Sequence, residues 1–293
     1  MFAEYRIKKF LTKLVPFPTL RRELRARVER AKPYVPDDDF IRVAARKRKG
    51  FDSAAAELDT LVLGSSHADY GFDPAHFGSP AYNWGMASED LYVSYKLYEL
   101  HGKHLPKLST VIFFFSVFTP GFYLAKCSER LRLAVYKALF DVAYPEHTFW
   151  RPWEAHARII AASVQPEPGF NGFCRPQAFL GEDYSLELRS EGHLKHNRRQ
   201  LDQLDWLRKL SDLCAARGHR LVLAIPPARQ DYRDALPPSP ELFASLYALA
   251  GGKHLILNYY ADESFTREDF GDTDHLNASG AAKLTVKIKE SLS

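Results

Sequence analysis

The sequence predicts a three-layer α/β/α sandwich around a five-stranded parallel sheet, and three observations carry that reading. Five short apolar runs each end at a turn residue or a proline. Apolar positions recur at helical spacing between them. The 293-residue chain, 46% hydrophobic and 26% charged, is long enough to bury one large core without disulfide or metal staples.

The first run, Leu58-Asp59-Thr60-Leu61-Val62-Leu63, stops at Gly64-Ser65-Ser66, as a buried parallel strand does. A second strand is expected at Ala81–Trp84, ending at Gly85. Ser88-Glu89-Asp90 then opens a helix carrying Leu91, Tyr95 and Tyr98. The third strand is Thr110–Phe115, the fourth Arg220–Ile225 before Pro226-Pro227, and the fifth His254–Asn258. Leu201, Leu204, Leu207, Leu210 and Cys214 form one helical face that runs to Gly218, a good C-terminal stop. The interval from about 117 to 198 is too long for a simple crossover. It reads as an insertion with a helix near 125–140 and an aromatic, Pro-rich stretch that covers the site or shapes a groove.

Charge is unevenly spread. Residues 1–50 hold 15 Lys/Arg against 6 Asp/Glu, a net of +9, whereas the remainder has 25 against 30, a net of −5. Residues 1–57 are therefore expected to form a basic helical extension, with a helix from Leu20 to Lys32, on a domain spanning 58–293. Such an arm suits an anionic membrane surface, an acidic glycan or a polysaccharide-assembly protein. Cys127, Cys174 and Cys214 show neither disulfide nor metal-ligand spacing. Lys13, Pro16 and Pro18 break the early apolar stretch, so a cytoplasmic protein, peripheral to the inner membrane, is expected. Phosphate-loop, dinucleotide, zinc and nucleic-acid-reading motifs are all missing from the sequence, so no metal, bound cofactor or nucleic-acid partner is expected.

Acyl transfer through serine needs an exposed hydroxyl, a base and a group that orients the base. Ser66 stands in the turn after a buried strand, where backbone N–H groups can face a reacting oxygen. His67 and Asp69 adjoin it too closely in sequence to act as its base. The late segment Gly271-Asp272-Thr273-Asp274-His275 supplies the other half. Three residues of separation let Asp272 turn back to the imidazole of His275; Asp274 competes for that role with less natural geometry.

In this order these motifs resemble the SGNH/GDSL hydrolase superfamily, in particular its bacterial polysaccharide O-acyltransferase and esterase branch. The resemblance covers about residues 58–293. It implies a flavodoxin-like sheet and a triad of Ser66, Asp272 and His275. The oxyanion would be held by the N–H groups of Ser66 and Gly85, helped by Ser116 or Asn83 where the family more often has an Asn after the third strand. It further implies O-acyl transfer, with acetylation foremost, to a carbohydrate or its precursor, with acetyl-CoA as a candidate donor. Ester hydrolysis, or glycan binding without turnover, are the alternatives. Arg229 and Tyr232, after the fourth strand, are candidate substrate contacts. The basic cluster from His193 to Arg199 and the aromatics Trp150, Trp153, Phe170 and Phe173 are weaker ones.

Overall fold

The computed structural model describes residues 2–16, 20–21, 24, 38–144, 151–174, 186–197 and 203–293. Five strands, β1 (Thr60–Gly64), β2 (Ala81–Asn83), β3 (Thr110–Phe114), β4 (Arg220–Ile225) and β5 (Leu255–Asn258), pair in parallel in the order β2-β1-β3-β4-β5. This is the flavodoxin-type order, whose direction of winding reverses between β1 and β3. Ligand crevices form at the carboxyl ends of the strands at that switch point. Gly64, at the end of β1, lies opposite Phe114 there.

Alternation along the strands builds two cores. Leu61, Leu63, Val111, Phe113, Phe115, Leu221, Leu223 and Ile225 face one layer, while Val62, Ile112, Phe114, Val222 and Ala224 face the other. Both sets are buried because helices cover both faces. In chain order the helices used below are α1 (Phe2–Lys13), α2 (Asp38–Ala54), α3 (Ser66–Gly71), α4 (Leu91–His101), α5 (Arg132–Phe140), α6 (Arg151–Ser163), α7 (Leu186–Asn197), α8 (Leu204–Ala216) and α9 (Ala278–Leu292). Asp90 caps α4 by accepting the amide of Val93 at 2.9 Å. The expected helix near 125–140 is divided. A short turn covers Leu124–Lys126, the amide of Glu129 turns back onto Cys127 Sγ at 3.3 Å, and α5 follows.

The N-terminal boundary needs correcting. Helix α2 is part of the body, because Phe40, Ile41, Ala44 and Phe51 enter the first core and Phe51 stacks on Trp84 at 3.8 Å between ring centroids. An extension could at most comprise the residues before 38, and the expected helix from Leu20 to Lys32 lies largely outside the described residues. The interval between β3 and β4 carries α5, α6, α7 and α8; α6 packs against α2 and α5. Among the described residues, no helix is long and apolar enough to cross a membrane.

Candidate active site

Ser66 opens α3 directly after β1, and the chain turns so sharply there that two glycines are required. Gly64 has φ +136°, and a Cβ on it would lie 3.0 Å from Phe114. A Cβ on Gly85 would lie 2.5 Å from Ala68 Cβ and 3.1 Å from the Asp69 amide nitrogen, so Gly85 lets the turn after β2 press against α3. Ser66 and Tyr70 are half-buried and one helical turn apart, whereas His67, Ala68 and Asp69 are buried. One face of this short helix is therefore open and the other sealed.

His275 reaches the open face from the loop before α9. Its Nε2 lies 2.7 Å from Ser66 Oγ, and its Nδ1 lies 2.7 Å from Asp272 Oδ2. The other carboxylate oxygen of Asp272 accepts the amides of His275 at 2.7 Å and Asp274 at 3.0 Å. This small turn fixes the carboxylate before it meets the ring. With Asp272 beside Nδ1, that nitrogen carries the proton, and Nε2 is left to accept from the serine hydroxyl. A bridge between Phe270 and Leu276 closes the loop, and Leu276, Leu284 and Ile288 seat it in the second core. Helix α9 begins at Ala278, two residues before Gly280, with Asn277 accepting the Gly280 amide at 3.0 Å.

Asp274 does different work. Arg189 of α7 donates to both of its oxygens, at 2.9 and 3.2 Å, and His67 Nε2 lies 3.2 Å from Oδ2. The His67 ring sits 4.8 Å from the His275 ring. Burial raises the Asp274 carboxyl, yet His275, His67 and Arg189 together hold it well below the usual carboxylate range. Burial lowers His275, but the charge of Asp274 and the bond to Asp272 outweigh it and raise this imidazole above its ordinary value. Burial lowers His67, against its bond to Asp274. His193 is pushed down to about 3 by burial. His67, Asp274 and His275 offer donor atoms within 4.8 Å of one another, a spacing a metal ion could use. Both nitrogens of His275 and both oxygens of Asp274 already have protein partners, which fits a hydrogen-bonded network better than a ligand set.

Beneath α3 lies a second polar group that the sequence did not reveal. Lys47 of α2 is fully buried and pairs with Asp69 at 2.7 Å, and its ammonium also donates to Gly85 O at 2.5 Å and Asn83 O at 3.3 Å. Burial raises the Asp69 carboxyl, opposed by Lys47 and by the backbone amide of Ala87. Lys47 sits within the run Arg46-Lys47-Arg48-Lys49, whose charge hides that it falls at helical spacing on the face of Phe40, Ala44 and Phe51.

Several expected site residues prove otherwise engaged. Asn83 is fully buried, and its Nδ2 donates to the carbonyls of Ala68 and Phe72 at 2.7 Å, tying α3 to β2. It has no donor to offer an oxyanion. The Gly85 amide donates to Asn83 Oδ1 at 3.1 Å, so it is turned toward that side chain. Ser116 gives its amide to Thr119 Oγ1 at 2.9 Å; its hydroxyl is buried, with no hydrogen-bond partner among the described residues, in a small cavity shared with His67, Tyr232 and Tyr260. Tyr232 is 2% exposed with its hydroxyl 2.5 Å from His193 Nδ1, so it braces α7 instead of meeting a substrate. Arg229 is held in two bonds of 2.6 Å by Asp231 and reaches Asp272 O at 3.4 Å. Phe170 and Phe173 are buried; Trp153 is half-buried, and its ring lies edge-on to His156. Trp150, Arg198 and Arg199 lie outside the described residues.

A cleft of about 890 Å³ opens beside Tyr70, whose ring stands edge-on to His275 at 5.4 Å. Helix α2 lines one wall with Asp39, Arg42 and Arg46, and residues 164–174 line the other. Arg46 lies over the Phe170 ring at 3.9 Å and pairs with Glu167 across the cleft.

No protein-family model matches the chain, and no curated protein matches it. Among solved structures it is similar to a GDSL-like lipase from Bacteroides thetaiotaomicron, with 12% identity and a TM-score of 0.38, over 85% of this chain and 100% of that one. It is also similar to a Bacteroides fragilis protein provisionally named an acylhydrolase, with 13% identity and a TM-score of 0.39, over 85% and 97%. At this identity and TM-score the likeness is in the course of the chain, and it carries no statement about chemistry.

Proposed function

We propose that the protein is a serine-dependent acyl-ester enzyme of the SGNH/GDSL type, with Ser66 as nucleophile, His275 as base and Asp272 as the group that orients it. One observation carries this reading: an unbroken line of hydrogen bonds, 2.7 Å from Asp272 to His275 and 2.7 Å from His275 to Ser66. Ser66 Oγ attacks the acyl carbonyl as its proton passes to His275 Nε2. The tetrahedral oxyanion faces the Ser66 amide, at the first position of α3 where no intrahelical acceptor exists. Collapse expels the leaving group, which takes the proton from His275. Water or a sugar hydroxyl then attacks the acyl-serine, gives its proton to His275 and releases the acyl group, after which the proton returns to Ser66.

Transfer to a carbohydrate hydroxyl, with acetyl-CoA among the candidate donors, is the more specific reading, and the cleft beside Tyr70 favours it. Its walls place acidic and basic side chains around a space large enough for a sugar chain and one helical turn from Ser66. The test is incubation with acetyl-CoA and candidate glycans, followed by NMR for new O-acetyl signals, alongside hydrolysis of p-nitrophenyl acetate. Acetylated glycan formed by wild type and absent with Ser66→Ala is the expected result. Hydrolysis without transfer would leave the esterase reading in place. Equal turnover by Ser66→Ala would overturn both.

A further inference from the structure

Helix α1 is amphipathic, and it faces the wrong way for a helix packed on its own protein. Ile7, Phe10, Leu11 and Leu14 recur at i, i+3, i+4 and i+7, the spacing of one apolar stripe. Their exposures are 58%, 59%, 52% and 64%, while the polar Thr12, on a different side of the helix, is 6% exposed. Leu14 continues the stripe past the helix end, because its amide donates to Leu11 O at 3.1 Å. Arg21 folds back onto Val15 O at 2.8 Å, beside Leu20, which is 45% exposed.

The charge of the segment says what covers this stripe. Within α1 stand Arg6, Lys8, Lys9 and Lys13 against Glu4 alone. At roughly 100° of turn per residue, Lys8 falls on one flank of the stripe and Lys13 on the other; both are exposed. Long basic side chains flanking an exposed apolar stripe match a surface that is apolar within and anionic at its face. We infer that α1 is a docking helix for an anionic lipid bilayer, lying in its interface with Ile7, Phe10, Leu11 and Leu14 inserted and the bases at the headgroups. This inference does not depend on the chemistry proposed for Ser66, and either can fail alone.

The test uses the full chain and two kinds of vesicle, pure phosphatidylcholine and phosphatidylcholine mixed with phosphatidylglycerol, in a sedimentation assay. The protein should pellet with the anionic vesicles, and the bound fraction should fall as salt is raised. The double variant Phe10→Asp/Leu14→Asp should reduce binding tenfold or more while keeping the wild-type melting curve and ester hydrolysis. Lys8→Glu/Lys13→Glu should weaken binding while leaving the apolar stripe intact. The inference is overturned if the full chain ignores anionic vesicles, binds both kinds equally, or binds equally well with either double variant. It is also overturned if Phe10→Asp/Leu14→Asp converts a dimer into a monomer, which would make the stripe an interface between two copies.

Discussion

Two aspartates from one short helix and one short loop lie on opposite sides of α3, and their surroundings set what each can do. Asp272 meets His275 on the open side, beside the half-buried Ser66 and Tyr70. Asp69 meets Lys47 on the sealed side, where the lysine is fully buried. Both pairs are short, at 2.7 Å. The first ends on the part-buried hydroxyl of Ser66, whereas the second ends on the carbonyls of Asn83 and Gly85. Access to an exchanging partner, more than the strength of a pair, separates a site that can turn over from one that holds a turn in place.

The largest expected effect tests the open side. Ser66→Ala should reduce ester hydrolysis by about 10⁴–10⁶ with little change in unfolding free energy, since the hydroxyl is part-exposed and its loss leaves no void. Asp272→Asn keeps the shape but removes the charge that orients the ring, and should lower kcat by about 10⁴. Steady-state kinetics beside urea denaturation separate these from folding defects. A loss of activity that merely follows lost stability would erase the contrast.

The sealed side should respond in the opposite way. Lys47→Met leaves Asp69 buried without its partner and should destabilise the fold by about 3–5 kcal/mol. The double variant Lys47→Met/Asp69→Leu should recover much of that loss, because a buried ion pair is often replaceable by packed apolar groups. If the single variant melts like wild type, the pair is not sealed as described. Gly85→Ala should cost about 1–3 kcal/mol, because the new methyl meets Ala68 and the Asp69 amide.

The smallest expected effect concerns pH. In the role proposed for it, His275 works as a base only when neutral, and its pKa is raised above its ordinary value of 6.5 despite burial, by Asp274 and Asp272. Turnover should therefore fall as pH drops through an inflection above 6.5 and hold steady above it. Asp274→Asn removes a negative charge that favours the imidazolium, so the inflection should move down and relative activity at pH 6 should rise. A pH-rate profile reads this shift even if removing the partner of Arg189 also lowers stability. An inflection that stays in place would assign Asp274 to the folding of α7 alone.

Much of this contrast was legible in the sequence on the open side and little of it on the sealed side. The β strands announce themselves because burial on both faces demands continuous apolar runs, and each run ends where the chain must turn. Ser66 and the Asp272–His275 pair were visible because their geometry is local: a strand-end turn, and a carboxylate three residues before a ring. Lys47, Arg189 and the structural duty of Asn83 were hidden, since each depends on partners 11 to 85 positions away in the chain. The same blindness placed α2 in an extension: its basic composition masked the apolar residues Phe40, Ile41, Ala44 and Phe51 that bury it.

The most direct test of the central claim is labelling with a fluorophosphonate probe, read by intact and peptide mass spectrometry on protein whose folding is checked by circular dichroism. The account predicts one adduct, located on Ser66, absent from Ser66→Ala and formed far more slowly by Asp272→Asn. Well-folded wild-type protein that takes up no label, or carries it on another residue, would contradict it.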